Sequence, residues 1–156
     1  MTLIIDSQIE PKSALTESLT DTLVAFSPQE AYASIMILAI ASDGYLADEE
    51  LDAITAHLSR MHLFQHFRPE TMRRMYGKLF EILRDDGAEV ILESAKETLP
   101  SELRESAFAM CCDLILADGF MSQDEQRFLH KLHQSMEIPK ESADRILSVM
   151  QIRNRV

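Results

Sequence analysis

IASDGYLADEE occupies residues 40–50, and ILADGFMSQDE occupies residues 115–125. Both carry an Asp-Gly pair, then an aromatic, a long apolar residue, a small residue and acids. The second follows the first at an offset of 75 residues, and the likeness extends beyond the turn. At that offset Met36 and Ile37 fall on Cys111 and Cys112, and Ala39, Ile40 and Ala41 fall on Leu114, Ile115 and Leu116. Ile54 falls on Leu129. What repeats is therefore a helix–turn–helix unit with its apolar face. We expect residues 33–58 and 108–133 to form equivalent helix hairpins that pack their apolar faces together about a pseudo-two-fold axis. Gly44 and Gly119 stand where a helix ends in a left-handed residue, which glycine adopts without a Cβ penalty. Tyr45 and Phe120 are expected to pack back on the preceding helix.

The rest of the chain agrees with an all-helical class. Of 156 residues, 46% are hydrophobic and only 4 are Gly and 5 Pro, so the composition is that of a globular helical domain. Helical spacing of Leu15, Leu19, Leu23 and Phe26 predicts a first helix over residues 13–26. Ser27, Pro28 and Glu30 combine a capping box with a first-turn proline and open a helix to about Ser42. Further helices are expected over about Asp48–Met61, Pro69–Arg84, Asp86–Thr98, Ser101–Ala117, Ser122–Met136 and Pro139–Ile152. Asp86 with Glu89 and Ser122 with Glu125 read as capping boxes. No segment alternates with period two, so no strand is expected. Residues 1–12 read as a flexible lead-in and residues 13–156 as one domain of seven to eight helices.

The formal net charge is −11. Such a surface repels phosphate backbones and anionic lipid, which argues against nucleic-acid partners, and attracts cations and basic protein surfaces. The longest apolar stretch, Ala31–Ala41, is shorter than the about 20 residues a membrane helix needs. The start, MTLIIDSQIE, has no basic n-region. Cys111 and Cys112 are adjacent and point about 100° apart on a helix, so they are expected to be buried reduced thiols in a cytoplasmic protein.

The acids of the turns admit two readings. Asp48, Glu49, Glu50, Asp124 and Glu125 lie in first helical turns, where the helix dipole favours them. Asp43 and Asp118 lie at helix C-termini, where it does not. Glu50 also persists although its cap position holds Ala47 rather than a serine. A divalent cation would offset the repulsion and use these oxygens as ligands. Pure hairpin architecture is the other reading.

The two turns resemble the signature turns of the TerB (tellurite-resistance protein B) family, and the resemblance runs nearly end to end. It implies an all-α fold, a cytoplasmic setting linked to tellurite and other stress resistance, and a divalent-metal role for the acids. Carried over, these acids are Asp43, Glu49 and Glu50 in the first turn, and Asp118, Asp124 and Glu125 in the second. Ala47, Leu46 and Met121 depart from the family pattern.

Other chemistries fit less well. Neither turn is an EF-hand: counted from Asp43 the third, fifth and twelfth positions are Tyr45, Ala47 and Ile54, and from Asp118 they are Phe120, Ser122 and Leu129. His62 with His66 and His130 with His133 have helical spacing and would need a third ligand to hold zinc. There is no phosphate loop, dinucleotide fingerprint or nucleophile elbow. Arg68, Arg73 and Arg74 read as a solvated basic face. The expectation is a non-enzymatic, cation-responsive interaction module. It would take Ca, Mg or Mn in preference to Zn and act on protein partners. The alternative is a structural adaptor whose turns are architectural only.

Overall fold

The computed structural model describes residues 23–42 and 47–155. Seven α-helices follow one another: α1 Pro28–Ile40, α2 Asp48–Ser59, α3 Pro69–Asp86, α4 Ala88–Thr98, α5 Ser101–Ile115, α6 Gln123–Ser135 and α7 Lys140–Arg153. Single 3-10 turns at His62–Phe64 and Leu116–Asp118 interrupt the series. Among the described residues there is no strand, and no helix is long and apolar enough to cross a membrane.

Helix α1 is the axis of the fold. Its residues Ala31–Ile40 are all buried. A helix apolar on every side must be covered on every side. Helices α4 and α5 flank it most extensively, and α2 and α3 close the remainder. Tyr32, Ile35, Met36 and Ile37 have no exposed surface at all. Each contributes about 1.5–3 kcal/mol of burial. The polar atoms that enter with this helix are satisfied. Ser34 Oγ donates to the Ala31 carbonyl at 2.8 Å, and Tyr32 Oη shares a hydrogen bond with Ser106 Oγ at 2.8 Å. Burial pushes the Tyr32 phenol up to about 12.

Cys111 and Cys112 face this core from α5, buried and unbridged, and Cys111 Sγ lies 3.7 Å from the Ile35 carbonyl. Burial raises both thiols, Cys112 to about 12. The positions related by the 75-residue offset share this burial: Met36 and Ile37 match Cys111 and Cys112, and Ile54 matches Leu129.

Three expectations are corrected. Residues 23–26 belong to no helix, against the expectation that they end one. The earlier part of that segment and the lead-in lie outside the described residues. The Asp86–Glu89 box does not form. Asp86 ends α3, Gly87 with φ 89° caps α4, and Glu89 instead pairs with Lys131 of α6. Helix α5 stops at Ile115, two residues short of Ala117, and tightens into a 3-10 turn. His62 opens the 3-10 turn and His66 lies in the turn that follows it, between the two expected helices.

Helix α7 is latched to α5 through one carboxylate. Arg153 Nε and Asn154 Nδ2 donate to Asp113 Oδ1 at 2.9 and 2.8 Å, and the Asp113 side chain is only 13% exposed. Burial pulls this carboxyl upward, but the hydrogen bonds from Asn154 and Arg153, with the charges of Arg153 and His57, outweigh it and leave it below the usual range. A depressed carboxylate stabilises the fold above its unfolded pKa and loses that contribution as pH falls through the folded value. Asp113→Ala should therefore cost about 1.5 kcal/mol near neutral pH in chemical denaturation. The gap between variant and wild type should close as the solution is acidified below the ordinary carboxylate range.

Candidate functional site

The second acidic turn is described throughout. Helix α5 runs into the 3-10 turn, and Gly119 takes φ 98° and donates to the Leu116 carbonyl at 2.9 Å. Any other residue would be strained there. Asp118 Oδ1 accepts from the Phe120 N–H at 3.3 Å, so this carboxylate spans the glycine and holds the turn. Phe120 itself is 71% exposed. The expectation that it packs back on α5 is corrected. The left-handed glycine redirects the chain outward at that point.

Four residues further on, α6 begins with a complete capping box. Ser122 Oγ accepts from the Glu125 N–H at 3.1 Å, and Glu125 Oε1 accepts from the Ser122 N–H at 2.8 Å. Asp124 Oδ1 accepts from Arg127 Nη1 at 2.6 Å on the same exposed helix face. Asp118, Asp124 and Glu125 thus lie on one short turn, each with a local donor.

In the first turn Asp43 lies outside the described residues together with Gly44, Tyr45 and Leu46, and the description resumes at Ala47. Ala47 has the extended backbone of a cap residue, φ −108° and ψ 152°, without a side-chain acceptor. Glu50 Oε1 nevertheless accepts from the Ala47 N–H at 3.1 Å. Half a capping box therefore survives without the serine. This accounts for the acid that sequence reasoning left without a partner. Glu49 is exposed beside it.

These contacts do not exhaust the carboxylates. Each uses one oxygen in one contact, whereas an ionised carboxylate offers about four lone-pair directions. Acceptor capacity therefore remains on each carboxylate. Among the described residues, no three His, Cys, Asp or Glu side chains are gathered closely enough to enclose one. A cation at either turn would take few protein ligands and complete its shell with water.

One arrangement escaped the sequence reading. Arg104 of α5 donates to the carbonyls of Leu99 and Lys96 at 2.8 Å and of Met136 at 3.3 Å, and so closes the C-terminal ends of α4 and α6. Its partners lie up to 32 residues away, and no local pattern announces them. His130 and His133 do come together, with ring centroids 5.3 Å apart at an angle of 80°.

The family profile described as "Tellurite resistance protein TerB" matches residues 29–148, from the first turn of α1 to the last part of α7. No curated protein and no solved structure compared with the chain matches it.

The half-box at Ala47 generates a prediction. The cap backbone is already extended and the Glu50 N–H already lies at the cap, 3.1 Å from the Ala47 carbonyl. Ala47→Ser should complete the box and raise stability by about 1 kcal/mol, while Ser122→Ala should lower it by a similar amount, both read by urea denaturation.

Proposed function

The chain belongs to the TerB family of tellurite resistance proteins, and on that footing we propose that it is a non-enzymatic interaction module whose acidic turns respond to a divalent cation. The observation that carries this reading is the second turn. Asp118, Asp124 and Glu125 stand within eight residues, exposed or half-exposed, each with oxygen capacity left beyond the one hydrogen bond it accepts. The same residue pattern recurs over residues 43–50. Oxygen-only donors suit Ca, Mg or Mn better than Zn. The net charge of −11 draws cations to the surface in general, so the turn needs to add only local geometry. The setting is cytoplasmic and tied to tellurite and stress resistance, and the output is contact with protein partners.

A second reading rests on a specific observation. Glu50 caps α2 although no serine answers it, and Asp118 holds its turn through the Phe120 N–H. Every described contact of these acids has a structural use. On this view the protein is an adaptor and its acidic turns are architecture.

One experiment separates the two. Thermal unfolding of the full chain is followed with Ca, Mg, Mn or Zn chloride and with a chelator. A cation at a hundred times its Kd stabilises the fold by about 2.7 kcal/mol. The cation reading expects Ca, Mg or Mn to raise the melting temperature. It also expects Asp118→Asn to weaken that response while leaving the metal-free protein as stable or slightly more so. Asparagine keeps an acceptor for the Phe120 N–H and removes a negative charge from a helix C-terminus. The adaptor reading expects no response in the wild type, and so nothing for the substitution to change.

A further inference from the structure

Two histidines stand in the second half of α6, beside a cavity that Met121 of the acidic turn also lines. His130 and His133 both line a cavity of about 190 Å³ between α6 and α7, floored by Phe108, Leu129 and Leu147. Their rings are neighbours, 5.3 Å between centroids. His133 Nδ1 lies 3.2 Å from the Ile138 carbonyl oxygen. A carbonyl only accepts, so this nitrogen carries the proton and donates, and in the neutral ring Nε2 keeps its lone pair. That is the arrangement by which proteins fix the tautomer of a metal-binding imidazole, one nitrogen donating to a backbone carbonyl and the other left to ligate.

A purely structural role covers part of this. The His133–Ile138 contact ties the end of α6 to the turn that follows, and a histidine near a helix C-terminus is favoured by the dipole. It does not account for His130, which is exposed and adds its ring to the same cavity. Oxygen donors are also at hand there. Gln126 and Asp144 line the cavity, and Asp144 is held by Lys140 at 2.8 Å in an exposed i,i+4 pair. Such a pair is worth only a few tenths of a kcal/mol and gives way easily.

We infer that His130 and His133 form a two-imidazole chelate for a borderline divalent cation, Zn2+ or Ni2+, open to the cavity and completed by water. Imidazole nitrogens select these ions over Ca and Mg, which prefer oxygen. Its ligands are distinct from the carboxylates of the acidic turns, and it takes a different class of metal. With two protein ligands in place, affinity belongs to the micromolar rather than the structural-zinc range, and the free positions leave room for a further ligand in the cavity.

Isothermal titration of the full chain with ZnCl2 and separately NiCl2 tests this, alongside 15N-imidazole NMR. The wild type should bind one ion, with the Nε2 resonance of His133 shifting and its Nδ1–H retained. His130→Gln, at an exposed position that should leave the fold intact, should lose at least about tenfold in affinity. His62→Gln and Asp118→Asn should leave it unchanged. Binding should weaken on acidification, because protons compete for the lone pairs. The charged groups lining the same cavity are Lys140 and Asp144. Absence of binding, binding that survives His130→Gln, or no shift at His133 Nε2 would overturn the chelate. The Ca, Mg and Mn response of the acidic turns is unaffected by any of these outcomes.

Discussion

Everything in this fold answers to the burial of α1. Ten consecutive residues, Ala31–Ile40, have no side that tolerates water, so no two-layer packing suffices. The chain wraps four helices around the axis. That wrapping fixes where helices must end. Helices α1 and α5 lie against each other. Each leads by sequence into an Asp-Gly turn, and α2 and α6 return from those turns with Ile54 and Leu129 buried. The acidic turns are therefore placed by an apolar requirement, before any carboxylate chemistry is considered.

Capping and charge then share the same oxygens. Glu125 satisfies a backbone N–H that α6 would otherwise leave open, and Glu50 does so for α2 with half the equipment. A capping contact of this kind is worth about 1 kcal/mol. A cation that also uses the carboxylate does not displace the contact, because a second oxygen is available. Architecture and ion binding are compatible on one residue. Among the described turn acids, Asp118 alone stands at a helix C-terminus, where the dipole opposes it and its hydrogen bond to Phe120 does not require a charge.

The legibility of the sequence follows the range of the interactions. Helix starts at Ser27 and Ser122 were readable because a cap is completed within three residues. The Asp86–Glu89 pattern misled for the same reason. It is locally plausible, but Glu89 is taken by Lys131, 42 residues away, and Gly87 takes a positive φ that no cap pattern anticipates. Leu23 and Phe26 have helical spacing yet lie outside any helix, where Val24 N–H donates to Ser94 Oγ on α4. At the candidate site, the acids and the glycine were visible as a repeated motif. The exposure of Phe120 was not, since an aromatic beside a core reads as buried. The Asp113 latch and the Arg104 clamp were invisible, because each joins elements brought together only by the finished fold.

Helix α6 gathers these threads along its dipole. Its first turn holds Asp124 and Glu125, and its last turns hold His130 and His133. Negative groups at the start and imidazoles toward the end are each favoured by the backbone alone. Neither end needs a metal to explain its residue types. A metal at either end must therefore act on a helix already stabilised without it. A cation at the N-terminus shares carboxylates with the cap and opposes the positive pole of the dipole. An ion on the imidazoles sits at the negative pole and adds to it. The two ends differ in sign as well as in donor chemistry. Oxygen-seeking and nitrogen-seeking ions should act on the stability of α6 in different proportions, even though one short helix carries both sets of ligands.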